Sequence, residues 1–396
     1  MLKEMTARYF LTRLVFLGIS CLLINFNLKA AEWEVSSDIK QVLGYDDNVT
    51  MREERVGSFE YLLTPRLDFI RRDQNLDASF HASYGLQRYP DVERLDYEPQ
   101  DYGANLSYRT ARTRWQLNGS YSDKLSRNFA VLETGDFSSA ASRTNWSLAP
   151  QFTYLVSPTD SLNLGFNYYE TEYSATFSSN KGKSVNLGWQ RQWRPTFSQG
   201  ISVFYSNNQF EGVASSTTDS YGLNVTSNYK ISKLWSVAGT IGGRVSEVTI
   251  NDGVNIADTA QSVGFLGDLE LSYRDEFYLS TLSLGQSLAP SGQGRLRQQA
   301  HFSWNGSYKF SKRLNAGLDV SYKITSTVGA ANSSADAANL SRNNFQIKPS
   351  LNWAVTPEIN AELSYRYRQQ EKTFTADSNL IMLTINFDWM GYKLSR

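Results

Sequence analysis

Apolar and polar residues alternate along the chain in repeated stretches of about ten residues, the spacing of a β-strand that has one apolar and one polar face. The clearest stretch follows a short turn at residues 311–313. Its apolar positions are Ala316, Leu318, Val320, Tyr322 and Ile324. The residues between them are polar or small, so the sequence predicts strands that meet an apolar medium on one side and water on the other.

Aromatic residues precede short turns at a period of roughly forty residues. Seven of them are separated by 46, 39, 36, 44, 35 and 45 residues, and an eighth lies 39 residues before the first. The eight are Phe69, Tyr108, Tyr154, Trp193, Tyr229, Tyr273, Tyr308 and Trp353. Aromatics gathered at one level predict the hairpins of a transmembrane β-barrel whose aromatics mark a membrane interface.

The connections between predicted strands are two to four residues long on one side and longer and polar on the other, as at 128–140 and 328–339. Outer-membrane barrels have short periplasmic turns and long outer loops. Eight short turns and one extra strand at each end predict an all-β, antiparallel, up-and-down transmembrane barrel of about eighteen strands. Weak alternation in the first strand, 35–48, leaves sixteen as an alternative, and a soluble β-sandwich is less favoured. The two long loops are candidates for folding into the lumen.

Three prolines lie on predicted strands: Pro65, Pro150 and Pro349. Each lies four residues before one of the aromatics that precede the short turns: Phe69, Tyr154 and Trp353, respectively. A closed barrel has no edge strand that tolerates a missing N–H group, so we expect each proline to mark a β-bulge near the rim.

Residues 1–30 have the layout of a secretory signal, with basic residues before an apolar run at 14–24 and small residues at the end. We expect cleavage after Ala30, which leaves 31–396 as a single outer-membrane β-barrel domain. Without residues 1–30 the chain keeps 35 of its 39 basic and 38 of its 39 acidic side chains, a net charge near −3. That balance indicates no nucleic-acid partner. Its single cysteine, Cys21, falls in the predicted signal, which leaves no disulfide or thiolate metal site.

The alternation assigns fifteen charged and histidine side chains to the lumen face. They are Arg66, Asp68, Asp77, His81, Lys124, Asp268, Glu270, His301, Lys309, Asp319, Lys323, Lys348, Glu362, Arg366 and Arg368. Seven basic against six acidic residues predict no net selectivity, although separated stripes of charge could create a transverse field. Sixteen to eighteen strands enclose an aqueous channel. The remaining inward positions are mostly Asn, Gln, Ser, Thr and Gly, which suit a hydroxylated solute such as a carbohydrate, but any water-filled lumen needs polar residues.

No catalytic, cofactor-binding or metal-binding motif stands out. His81 and His301 are assigned to different strands, and sequence alone places no serine or carboxylate beside either. The Gly-rich stretches 239–243 and 291–294 lack the strand, helix and Lys-Ser/Thr of a phosphate loop. We therefore expect neither an enzyme nor a bound cofactor.

The segment Tyr45-Asp46-Asp47-Asn48, with the strand at 61–69 that contains Pro65, resembles the start of the β-barrel porin 2 family. The strand at 76–89 is similar to the next element of that family. Its members are outer-membrane β-barrel proteins associated with exopolysaccharide biosynthesis and export clusters. The resemblance implies a Gram-negative outer-membrane channel or accessory protein for polysaccharide export.

Three functions follow from these expectations. The first is exopolysaccharide export through a polar lumen, with periplasmic export proteins as partners. The second is a general or solute-specific uptake porin. The third is a non-conducting structural barrel that holds a periplasmic export partner. Each would contact outer-membrane lipid, lipopolysaccharide and the barrel-assembly machinery.

Overall fold

The computed structural model describes residues 31–174, 177–212, 215–251, 258–327, 341–372 and 374–395. The predicted signal peptide, 1–30, and the predicted long loop at 328–339 lie outside these residues. The described residues form one closed antiparallel β-barrel of eighteen wall strands, as predicted. Closure occurs where the first strand pairs with the last, from Glu32 opposite Ser395 to Asp46 opposite Leu380.

Nineteen strand segments build the wall, because β3 and β4 are two parts of one strand interrupted at Gly85. Their bounds are β1 Glu32–Asp46, β2 Ser58–Arg72, β3 Leu76–Tyr84, β4 Leu86–Arg88, β5 Gln100–Arg109, β6 Thr113–Leu125, β7 Ser142–Leu155, β8 Asp160–Tyr173, β9 Ser179–Arg194, β10 Phe197–Glu211, β11 Ser215–Lys230, β12 Trp235–Asn251, β13 Asp258–Arg274, β14 Tyr278–Ser291, β15 Arg295–Lys309, β16 Leu314–Thr327, β17 Arg342–Ala354, β18 Ile359–Glu371 and β19 Thr375–Ser395. Each strand is antiparallel to its neighbours.

The outer face of the barrel carries the large apolar side chains, which alternate with polar residues on the inner face. Leu187 and Leu223 are about half exposed on this outer face. The aromatic pair Phe197 and Tyr229 lies near the short-turn end, and the pair Tyr205 and Tyr221 lies eight residues further along the same two strands. Eight residues span about 26 Å of strand. At a strand tilt of about 40°, this is an apolar band roughly 20 Å tall, close to that of outer-membrane barrels.

The remaining regular elements in the described residues are short. Glu93–Leu95 and Ser126–Phe129 are single 3-10 turns, and Ala130–Thr134 is a π-helical turn. No helix in this part of the chain is long and apolar enough to cross a membrane.

The three prolines do not mark bulges, so that prediction was wrong. Each breaks the strand pairing on one side only, and the register is the same before and after the break. At Pro150, for example, the pairing of β7 with β8 stops at Leu148 opposite Tyr168 and resumes at Gln151 opposite Gly165. The same two-residue gap occurs at Pro65 and Pro349. Proline supplies no N–H group to the ladder, and the wall tolerates this loss without inserting an extra residue.

Two small hydrophobic cores lie inside the long-loop end of the barrel, beneath the connections between strands. The first contains Val49, Tyr89, Val92, Leu95 and Leu125. The second contains Met51, Ala130, Phe137 and Ala376. Each core joins segments that are distant in sequence, so the loops at this end pack into the lumen as a structured unit.

Candidate functional site

The connection between β6 and β7, residues 126–141, folds into the lumen and is called here the constriction loop. The sequence predicted this behaviour for residues 128–140. The loop reaches the far side of the barrel, where Ser291 Oγ donates to the Glu133 carbonyl at 2.8 Å and Gln293 Nε2 donates to the Thr134 carbonyl at 2.9 Å. β7 is the sixth wall strand and β14 the thirteenth, so the loop spans the barrel interior between nearly opposite walls.

A buried ion pair anchors the loop to β7, the strand that follows it. The Arg143 guanidinium on β7 donates to both carboxylate oxygens of Glu133, from Nε at 2.7 Å and from Nη2 at 2.6 Å. The Tyr173 hydroxyl donates to the same carboxylate at 2.5 Å. The side chains of Arg143 and Glu133 are only 9% and 14% exposed. A two-point, charge-assisted contact of this kind fixes direction as well as distance.

Gly135 allows the loop to turn back after its π-helical segment. Its φ of +69° lies in the left-handed region, which glycine adopts without the steric cost that a Cβ brings. A Cβ at this position would also lie 2.7 Å from Nη1 of Arg342 on β17. The Gly135 carbonyl accepts a hydrogen bond from Gln370 Nε2 on β18 at 3.3 Å. The loop is thus fitted closely against a second wall of the barrel.

Three buried guanidinium groups on the inner wall at this end have no carboxylate within ion-pair distance among the described residues. Arg244, Arg297 and Arg342 are 3%, 1% and 3% exposed. Arg342 Nη2 donates to the Val131 carbonyl of the constriction loop at 3.3 Å, and Arg297 donates to the Gln293 side chain. At least one nitrogen of each group finds no protein partner within that part of the chain. Buried cations are normally paired, so these three leave an uncompensated positive charge.

Lys372, which follows β18, adds to this positive charge at the long-loop end. Partial desolvation lowers the pKa of Lys372, and the charges of Arg342 and Arg297 lower the pKa further, against the opposing effect of Asp136. Because the charges of both arginines lower this pKa, Lys372 lies within the electrostatic field of Arg342 and Arg297.

Two further arginines lie beside the constriction loop, one in the loop itself and one on β18, the strand next to β17. Arg127 of the loop donates from Nη2 to the Val49 carbonyl at 2.6 Å. Arg368 on β18 stacks over the Phe137 ring of the loop at 4.1 Å and approaches Asp46 at 3.6 Å. Arginines on the adjacent strands β17 and β18 therefore both contact the loop, and Arg368 is the one with a carboxylate within ion-pair distance.

Many of the predicted lumen charges pair with one another or with neighbouring residues. His81 Nε2 lies 3.1 Å from Asp101 Oδ1, and Lys124 donates to Asp101 Oδ2 at 2.8 Å. His301 lies 3.4 Å from Asp268. Opposite charges therefore largely cancel in these pairs, whereas the predicted lumen residue Arg368 lies further toward the long loops, against Phe137.

All fifteen predicted lumen residues lie on the face opposite the exposed apolar side chains. Besides the pairs above, Arg66 bonds to Asp68 at 2.7 Å, Arg109 to Asp77 at 2.6 Å and Lys348 to Glu362 at 2.7 Å. Glu270, Lys309, Asp319, Lys323 and Arg366 share this face. Their part in conduction stays a prediction.

The eight predicted interface aromatics lie on the outer face at the short-turn end. Trp193 and Trp353 are each 52% exposed, and Tyr108, Tyr154, Tyr229 and Tyr308 are also exposed. Phe69 packs against Trp33 with ring centroids 5.4 Å apart, and Tyr273 packs against Trp235 at 4.8 Å.

The Tyr45-Asp46-Asp47-Asn48 segment lies at the seam where the first and last strands meet. Asp47 accepts hydrogen bonds from the backbone and side chain of Asn379 at 2.7 and 2.8 Å. Asn48 Nδ2 donates to the Asp377 carbonyl at 2.9 Å. Arg55 joins the carboxylates of Asp47 and Asp377. The segment therefore fastens the rim of the barrel where it closes.

No group of three or more His, Cys, Asp or Glu side chains within the described ranges could hold a metal ion. The two histidines lie on β3 and β15 and each faces a carboxylate. The expectation that the chain is not an enzyme stays a prediction.

Sequence reasoning missed four residues of the constriction, Glu133, Arg143, Arg297 and Arg342, and also the buried Arg244 of β12. Arg297 and Arg342 could have been found, because they share the inward alternation of the predicted residues His301 and Lys348. Their burial beneath the loop is a tertiary effect that strand periodicity does not contain.

Comparisons with known proteins agree with this architecture. A comparison with models of protein families found no match, and neither did a sequence comparison with curated proteins. The crystal structure of Acinetobacter baumannii OccAB4 is similar over 92% of this chain and 98% of its own, at 12% identity and a TM-score of 0.52. Acinetobacter baumannii OccAB2 is similar over 90% of this chain and 98% of its own, at 12% identity and a TM-score of 0.50.

The ferric citrate transporter FecA, in the unliganded form, is similar over 86% of this chain but only 60% of its own, at 10% identity and a TM-score of 0.52. At such identities the likeness establishes the fold alone. The chain has the closed antiparallel barrel of outer-membrane porins.

Proposed function

We propose that the chain is an outer-membrane channel for the passive uptake of small anionic solutes. The proposal rests on three buried guanidinium groups, those of Arg244, Arg297 and Arg342. They lack a carboxylate partner within the described part of the chain. Fixed positive charge in a narrow, poorly hydrated passage attracts anions and repels cations. This differs from the sequence-based expectation of no net selectivity, because these three groups lack a carboxylate partner in the described part of the chain, whereas many of the predicted lumen charges are paired.

The chemistry of the guanidinium group favours a carboxylate or phosphate on the solute. Its planar fork donates two parallel hydrogen bonds to such groups, whereas an ammonium acts as a compact point charge. The Glu133 carboxylate already receives this contact from Arg143 within the same constriction. A solute carboxylate that approached Arg297 or Arg342 would gain the same contact.

The constriction also sets a limit on size. The loop at 126–141 crosses the interior, and the hydrophobic cores beneath the other loops fill part of the lumen at that end. A small solute passes such an obstruction more easily than a polymer does. Export of an exopolysaccharide stays a prediction that rests on the resemblance of the first strands, and a deletion strain scored for secreted polysaccharide would test it.

The barrel fold, the apolar outer band and the aromatics at both edges of that band support an outer-membrane location. In that setting the short turns face the periplasm and the long loops face outward. Contacts with lipopolysaccharide and recognition by the barrel-assembly machinery are part of the same proposal.

Liposome swelling with two solutes of similar size tests the proposal. Glucuronate and glucose differ mainly by one carboxylate, so a basic constriction should admit glucuronate faster. Equal rates, or a faster rate for glucose, would contradict an anionic preference. A failure of both solutes to enter would favour the non-conducting structural barrel.

A further inference from the structure

The barrel wall is incomplete between β13 and β14 toward the long-loop end. These strands pair only from Arg274 opposite Leu279 to Gly267 opposite Gln286. Beyond that point β13 continues to Asp258 with β12 as its partner, and β14 continues to Ser291 with β15 as its partner. The facing edges of residues 258–266 and 287–291 therefore have no partner strand among the residues that the structure describes.

The gap arises because the end of the β14–β15 hairpin is held inside the barrel. The Gly294 carbonyl accepts a hydrogen bond from Ser216 Oγ at 2.7 Å, and Ser178 N donates to the Gly292 carbonyl at 2.7 Å. Leu296 packs against Phe210 of β10, which is 1% exposed. These contacts draw the hairpin away from β13 and toward β10 and β11.

The gap begins at the level of the second aromatic row. Phe265 lies eight residues along β13 from Tyr273, as Tyr205 lies eight residues from Phe197 on β10. In the outer membrane, as proposed above, this is the depth at which acyl chains meet head groups. Gln286 Nε2 donates to the Phe265 carbonyl at 3.0 Å and so satisfies the first free carbonyl at the edge.

The open edge of β13 begins at the depth where hydrocarbon gives way to head groups. Lipid supplies no hydrogen bonds to backbone N–H and C=O groups, so irregular or unpaired backbone at membrane depth occurs only where polar groups or water meet it. An exposed edge is also a ready template for hydrogen bonding. The occupant of the gap must therefore bring polar atoms to this edge.

Arg244 lies directly behind the gap on the inner side. It pairs with Gly264 in the ladder, and a Cβ on Gly264 would lie 2.7 Å from Arg244 Nη2. Arg244 Nη1 donates to Ser246 Oγ at 2.7 Å, and Nη2 donates to Gln298 Oε1 at 3.3 Å. Its Nε has no partner in the described chain. On the outer side, Val263 is 80% exposed.

We propose that the gap between β13 and β14 is a lateral binding site for the anionic head group of an outer-leaflet amphiphile. Arg244 serves as the counter-ion, the free edge of β13 supplies hydrogen bonds to the head group, and the acyl chain lies along Val263 and Phe265. The buried, uncompensated guanidinium argues for an anionic head, and the exposed apolar residues argue for a tail. This site rests on the membrane location but not on solute conduction. Arg244 is common to both proposals, but the selectivity tests replace Arg297 and Arg342 and the crosslinking tests replace Arg244, so the two proposals fail separately.

Disulfide trapping tests the gap itself. Continuing the register of the paired segment would place Ser262 opposite Ser291 if the wall were closed, whereas Ser272 does lie opposite Thr281. Oxidation should link the control pair Ser272→Cys with Thr281→Cys and leave Ser262→Cys with Ser291→Cys as free thiols, because disulfides need Cβ atoms about 4 Å apart. Efficient linkage of the second pair in native membranes would overturn the proposal.

Photo-crosslinking tests the occupant. Benzoylphenylalanine replaces Phe265 at the gap or, as a control at matched depth on the intact wall, Tyr221. The protein is reconstituted in vesicles of nine parts phosphatidylcholine and one part phosphatidate, and mass spectrometry measures the ratio of the two lipid adducts. Phosphatidate should be enriched about tenfold at position 265 relative to 221, the factor expected for one charge-assisted contact.

Two variants assign that enrichment to the guanidinium. Arg244→Gln should abolish it, and Arg244→Lys should retain most of it because the charge remains. Equal adduct ratios at both positions, or enrichment that survives Arg244→Gln, would overturn the proposal.

Discussion

Replacing Glu133 with glutamine should release the constriction loop while the barrel stays folded. The carboxylate accepts two hydrogen bonds from Arg143, at 2.7 and 2.6 Å, and both side chains are less than 15% exposed. Removing one partner of a buried pair costs about 3–5 kcal/mol. The glutamine amide would keep part of the hydrogen bonding, so about 2 kcal/mol is a reasonable loss for the docked loop. That loss changes the ratio of docked to released loop by roughly 30-fold.

Single-channel recording in planar bilayers measures this change directly. The parent protein should show a small, steady conductance, and Glu133→Gln should show larger and noisier openings as the loop leaves the lumen. The barrel itself should melt at nearly the same temperature in detergent, because the eighteen-strand ladder does not include residue 133.

A double variant supplies the control. Glu133→Gln combined with Arg143→Met removes both charges and leaves no unpaired ion, so the loop should return toward the docked state and the conductance toward that of the parent. The reasoning is refuted if Glu133→Gln leaves both conductance and noise unchanged. It is also refuted if the double variant opens as widely as the single one.

Three further outcomes follow from the same structure. Arg297→Gln and Arg342→Gln should each lower the chloride-to-potassium permeability ratio, whereas Lys309→Gln, at the short-turn end, should leave the ratio unchanged. Because the pKa of Lys372 is lowered, raising the pH should neutralise this lysine earlier than a free lysine and reduce anion preference, and a Lys372→Gln variant should lack that part of the pH response. Backbone hydrogen bonds from Tyr278, together with contacts from Tyr273 and Phe277, lower the pKa of the Asp275 carboxyl, so its stabilising effect exists above the unfolded pKa and is lost as pH falls through the folded pKa. Asp275→Ala should therefore lower the detergent melting temperature at neutral pH and match the parent in strong acid.

Most of the fold could be predicted from the alternation of polar and apolar residues and from the period of the aromatic residues. A strand that separates lipid from water must repeat every second residue, so the inward position of Lys348 or His301 can be read without a structure. The count of eighteen strands was also predictable, because an aromatic residue precedes each short turn and identifies it in the sequence.

The constriction could not be read in that way. Arg143 and Glu133 are only ten residues apart, but their contact depends on where the loop turns inside the lumen. The loop's far partners Ser291 and Gln293 are more than 150 residues away. The break between β13 and β14 is a further example, because both strands alternate regularly through it. Local pattern specifies which face a residue occupies and not whether its neighbouring strand remains beside it.

We infer that a basic constriction makes this barrel an anion-preferring channel. The most direct measurement is the reversal potential of the purified protein in a planar bilayer under a tenfold gradient of potassium chloride. We expect a reversal potential with the sign of chloride selectivity. In the combined Arg297→Gln and Arg342→Gln variant, this potential should move toward zero. A reversal potential with the sign of potassium selectivity, or no current from the folded protein, would contradict it.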